Sequence, residues 1–90
     1  MSYKARPPVN QLNEFTVLLG KIFRKLRKAK GFKSYENFAH EYGLSRVHYY
    51  QMEKGTNCTL KSLLRVLNAH ELDVFLFFRM IDPKNNRYEN

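Results

Sequence analysis

The chain has a single cysteine, Cys58, which excludes an internal disulfide framework and suits a reducing compartment. Its opening, MSYKARPPVN, lacks the apolar centre of a secretion signal, so the cytoplasm is the expected location. No apolar run approaches the roughly 20 residues that would span a bilayer, and no membrane role is expected. There are four glycines, and they never gather into a loop that could cradle a phosphate. HExxH and CxxC spacings are absent, and His40, His48, His70 and Cys58 lie scattered, so no metal is expected. Glu41 and Glu53 form no recognisable carboxylate pair, and no histidine is patterned with Cys58 as a nucleophile's base. Catalysis, a cofactor and a small-molecule ligand all go without a constellation to carry them.

Acid is the other scarcity. Eight Asp and Glu face sixteen Lys and Arg, a formal net charge of +8 on 90 residues. Such a surface attracts polyanions, and its distribution is uneven. Lys21, Arg24, Lys25, Arg27, Lys28, Lys30 and Lys33 crowd into one stretch that no acid interrupts. That exceeds what solubility needs and reads as a footprint for phosphates. A cationic amphipathic helix could also lie on a membrane, but its apolar face is needed here for the core of a very small domain.

A length of 90 residues suits one domain, expected over 11–82 between a flexible arm at 1–10 and a flexible tail at 83–90. Leu12, Phe15, Leu19, Ile22, Phe23 and Leu26 recur at helical spacing and predict one face of a first helix running from Gln11 to about Lys30, stopped by Gly31. Ser34 caps a second helix with Phe38, Ala39 and Tyr42 inward, ended by Gly43. Ser45 caps a third, with Tyr49 and Met52 inward and Gly55 closing it. Thr59 caps a fourth, whose stripe is Leu60, Leu63, Leu64, Val66 and Leu67. Asp73 caps a fifth, VFLFFRMI, apolar almost all round. LDVFLFF could be a strand on propensity alone, but the expected class is all-α, a compact five-helix bundle.

Two short helices joined by a glycine-containing turn make a helix-turn-helix, here over 34–54: SYENFAHEY, the turn GLS, and RVHYYQMEK. With Arg27 in the first helix, Ser34 and Ala39 in the second, GLSR at 43–46, ME and Gly at 52–55 and the helix LKSLLRVLNA, the chain resembles the phage-repressor and Cro type of helix-turn-helix. That group is also called the xenobiotic-response-element family, and the likeness covers about residues 18–78. The chain departs from the family pattern at Tyr35, where glutamine is common, at Cys58, where proline is common, and at His70, usually aliphatic. One extra residue also lies between Gly31 and Ser34.

The resemblance implies the lambda-repressor-like fold and a sequence-specific regulator of transcription, a repressor, bound to double-stranded DNA. It places Arg46, Val47, Tyr50 and Gln51 at base-reading positions, with His48 on the flank. Their chemistry fits: Arg46 can fork onto guanine, Gln51 can pair with adenine, and Val47 can meet a thymine methyl. Phosphate contacts are expected from Ser34, Tyr35 and Ser45, and from Lys54, Thr56, Asn57 and Thr59 after the reading helix. Lys28, Lys30 and Lys33 add charge at longer range. Glu53 stands where the family often pairs an acid with an arginine of the first helix, here Arg27. Readers of this kind usually work as dimers, and Phe75, Phe77, Phe78 and Ile81 are the expected homodimer surface. Two alternatives remain open: an antitoxin that also binds its promoter and holds a toxin protein, and an interaction module that no longer reads DNA.

Overall fold

The computed structural model describes residues 11–56 and 58–82; the expected arm, the tail and Asn57 lie outside the described residues. The chain is all-helical there, with α1 at Gln11–Ala29, α2 at Tyr35–Glu41, α3 at Arg46–Lys54, α4 at Leu60–Ala69 and α5 at Val74–Ile81, and no strand among the described residues. Two compact units share these elements: α1–α3 belong to the unit that ends at Cys58, α4 and α5 to the unit that begins at Thr59. No helix among the described residues is long and apolar enough to cross a membrane.

Local chemistry sets the helix ends. After α1 the chain closes with the Phe32 amide donating to the Arg27 carbonyl at 3.1 Å and the Gly31 amide to Lys28 at 3.0 Å. Gly31 sits at φ 99°, a left-handed conformation that costs glycine nothing. The Ser34 oxygen accepts from the Glu36 and Asn37 amides at 3.0 and 3.2 Å, and so starts α2. Gly43 turns the chain at φ 67°, and the Leu44 amide returns to the Ala39 carbonyl at 2.8 Å. One residue later the Ser45 oxygen accepts the His48 amide at 3.2 Å and α3 begins.

In the first unit α3 packs against both α1 and α2. The buried line of α1 runs through Thr16, Leu19, Gly20, Phe23 and Arg27, spaced by three and four residues. Leu12 and Phe15, expected on this face, are exposed. A Cβ at Gly55 would stand 3.1 Å from Val17 Cα, so α3 ends level with residues 16 and 17 of α1. Between α2 and α3 the filling is aromatic. Phe38 lies 5.0 Å from Tyr49, 4.9 Å from Tyr42 and 5.4 Å from Phe32, centroid to centroid. Phe38 and Ala39 are fully buried, whereas Tyr42, expected inside, keeps its outer edge exposed while its ring covers Phe38. Truncating Phe38 to alanine removes the hub of this cluster, a loss of about 3–5 kcal/mol for a buried phenylalanine.

The second unit uses the same devices. Thr59 caps α4 by accepting the Ser62 amide at 3.0 Å, and Asp73 caps α5 by accepting from Phe75 and Leu76 at 2.8 and 3.1 Å. That acidic cap is why LDVFLFF becomes helical from Val74 despite its β-propensity. Leu63, Val66 and Leu67 are buried, but Leu60 and Leu64 are exposed, so the apolar stripe of α4 is narrower than its composition suggests.

Candidate nucleic-acid interface

On α3 the side chains divide cleanly by the 3.6-residue period. Tyr49 and Met52 are buried, Glu53 is half-buried, and Arg46, Val47, His48, Tyr50, Gln51 and Lys54 are all exposed. Val47, Tyr50, Gln51 and Lys54 follow i, i+3, i+4 and i+7 and share one outward ridge, with Arg46 and His48 on its two flanks. The expected base-reading residues therefore stand together on one side of a helix whose other side is locked into its unit.

The lock is polar as well as apolar. Arg27 Nε donates to Glu53 Oε2 at 2.7 Å and Nη2 to Oε1 at 2.9 Å, a two-point fork between α1 and α3. Its Nη1 donates to the carbonyls of Phe32 and Lys33 at 2.9 and 2.7 Å. One guanidinium thus fixes α3 and the loop that leads into α2. The hydrogen bonds it donates to Glu53 outweigh burial and raise the Arg27 pKa above its ordinary value. Tyr49 completes the group: its hydroxyl is buried beside the pair without a hydrogen bond of good geometry. Desolvation, chiefly, pushes its pKa well up.

The residues expected at phosphates fall into two kinds. Ser34 and Ser45 accept amides through their oxygens, which leaves each O–H able to donate to an anion. Their helix starts also present amides, which favour negative charge. Thr56 and Thr59 differ. Thr56 donates its hydroxyl to the Gln51 carbonyl at 2.8 Å, and Thr59 shares a hydrogen bond with Ser62 Oγ at 3.1 Å while capping α4. A hydroxyl has one proton, and a phosphate oxygen only accepts, so Thr56 has no hydroxyl donor to spare, whereas in the Thr59–Ser62 pair either hydroxyl can be the donor. Lys28, Lys33 and Lys54 are exposed; Lys30, also exposed, has its ammonium 5.8 Å from the Tyr42 ring centroid. Asn57 lies outside the described residues.

Some contributors were not visible in the residue pattern. Gly20 admits the α3 backbone: a Cβ there would lie 2.6 Å from the Glu53 carbonyl oxygen and 2.8 Å from that of Met52. Asn37 and His40, exposed on α2, line a groove of about 510 Å³ together with Glu36, Leu44, Ser45, Arg46 and Val47. Their i, i+3 spacing was the available signal. Tyr35 lies with its ring 4.8 Å from that of Tyr50, which joins the start of α2 to the α3 ridge.

The expected dimer surface is redistributed along α5. Phe77 is 0% exposed and belongs to the protein's own interior, which removes it from any surface. Val74 and Ile81, three residues before it and four after, are half-buried on the same side. Phe75, Leu76 and Met80 face solvent at 77%, 55% and 50%, with Phe78 at their margin. Among the described residues no group of three or more His, Cys, Asp or Glu could hold a metal ion. Comparison with family models, with curated proteins and with solved structures finds no match to the chain.

Proposed function

We propose that the protein is a sequence-specific regulator of transcription of the phage-repressor and Cro type, with the lambda-repressor-like fold, that binds double-stranded DNA and represses by occupying it. The outward ridge of α3 supports this reading most directly. It gathers an arginine, a glutamine, an aliphatic group and a tyrosine, the side chains that match base edges in the major groove, on a helix held rigidly from behind. The net charge of +8 supplies affinity for phosphates, and the free O–H groups of Ser34 and Ser45 fix register. Two copies joined through the exposed side of α5 would read two half-sites.

The same α5 face favours a second reading, a DNA-binding antitoxin whose toxin protein covers Phe75 and Leu76. A neighbouring gene for a small toxic enzyme separates the two.

Substitutions test the division of labour. On duplexes selected from a random pool, Arg46→Ala relaxes preference at one base pair, a cost of about 1–3 kcal/mol. Lys28→Ala weakens selected and random duplexes alike and lowers the salt slope by about 1. Identical behaviour of the two variants would overturn the assignment of α3 to the groove.

A further inference from the structure

Tyr35 has a relationship that contact with a phosphate does not require. It is the first residue of α2, and its ring centroid lies 4.8 Å from that of Tyr50, with the planes tilted by 43°. Lys54, one turn beyond Tyr50 on α3, places its ammonium 5.4 Å from the same Tyr50 centroid. The interior does not demand this arrangement. Tyr50 is 40% exposed, and α3 already anchors itself through Tyr49 and Met52 on its other side. An exposed tyrosine on a helix ordinarily exchanges among rotamers and loses that freedom when it docks. Here a second ring and a cation engage it before any ligand arrives.

We propose that Tyr35 and Lys54 are positioning residues, which hold the Tyr50 ring so that its hydroxyl edge, and not its face, meets a base pair. This rests on the reading of α3 as the DNA-reading helix and says what one of its residues recognises. With the π system engaged by Tyr35 and Lys54, the phenolic O–H is the group left to specify sequence. It can donate to a purine N7 or a carbonyl oxygen, or accept from an exocyclic amine. Tyr50 thus reads a polar base edge, not a thymine methyl or a phosphate. Tyr35 contributes its ring, and its own hydroxyl is dispensable.

Two measurements decide the matter. In the free protein, the Tyr50 ring-proton resonances carry a ring-current shift from Tyr35 that Tyr35→Leu abolishes and Tyr35→Phe retains, with helix content unchanged. On duplexes selected by the wild type, Tyr50→Phe and Tyr35→Leu each lose about tenfold discrimination at the same base pair, whereas Tyr35→Phe stays within about twofold of wild type. Tyr50 resonances that do not move in Tyr35→Leu overturn the inference without reference to DNA. So does Tyr35→Phe weakening all duplexes alike with no further loss in Tyr35→Leu, which would make Tyr35 a phosphate contact. A wild type that enriches no sequence would instead sink the DNA reading itself, and Tyr50's role with it, even where the ring-current shift is present.

Discussion

Gly20 of α1 lies so close to α3 that a Cβ at this position would stand 2.6 Å from the Glu53 carbonyl oxygen. The obstructing atoms are backbone, so no rotamer change relieves them. Gly20→Ala gains up to about 1 kcal/mol in helix propensity but must push two packed helices apart, which costs about 1–3 kcal/mol or more. A net loss of stability is expected in urea denaturation, with weaker DNA binding because α3 shifts. An unchanged or raised midpoint would show that the helices are not in contact there.

The Arg27–Glu53 fork carries the second prediction. Arg27→Met leaves the Glu53 carboxylate and two loop carbonyls without their donor in a buried setting, and loses about 3–5 kcal/mol. Replacing both partners with apolar residues recovers a large part of that loss, because most of the penalty is the orphaned charge. A double-mutant cycle in urea measures the coupling; additive losses would contradict a direct pair.

Much of this frame could be read from local chemistry. Ser34, Ser45, Thr59 and Asp73 cap helices because a short oxygen side chain before an apolar run satisfies free amides wherever it occurs. Tyr49 and Met52 point inward by period alone. Other features depend on a neighbour that the sequence does not name. Gly20 inside α1 looks like any weak helix former until Met52 and Glu53 are found against it. In α5, apolar residues on every side give no phase, so Phe77 and Phe75 could not be ranked; one is buried and the other is the most exposed large hydrophobic of the chain's described residues. In the sequence Thr56 looks like a phosphate donor, because its bond to Gln51 closes only when α3 ends. The pairing of Arg27 with Glu53 came from family likeness, since no spacing rule relates residues 26 apart.

Tyr49 supplies a pH dependence. Burial raises its phenol pKa above the ordinary 10.0, so the unfolded chain gives up this proton first as pH rises. Its contribution to stability is complete below pH 10 and falls above it by about 1.4 kcal/mol per pH unit until the folded form also ionises. Tyr49→Phe removes that slope. At neutral pH it costs less than about 1 kcal/mol, because the lost hydroxyl has no well-formed hydrogen bond. Urea midpoints of the two proteins should differ little at pH 7 and diverge between pH 10 and 11 in favour of the variant; a constant difference would contradict the assignment.

The exposed side of α5 predicts self-association. Burying a phenylalanine contributes about 1.5–3 kcal/mol, so Phe75→Lys should weaken the dimer about tenfold or more in sedimentation equilibrium. Phe77→Ala should act on folding instead. A wild type that stays monomeric at micromolar concentration, even beside a DNA half-site, would contradict the dimer.

Selection of bound sequences from a random duplex pool at physiological salt tests the DNA-reading proposal most directly. The expected result is enrichment of one short motif, with loss of preference at a single base pair in Arg46→Ala and at a different one in Gln51→Ala. Retention of all duplexes alike, with no motif enriched and affinity set by salt alone, would reduce α3 to a charged surface and contradict the account.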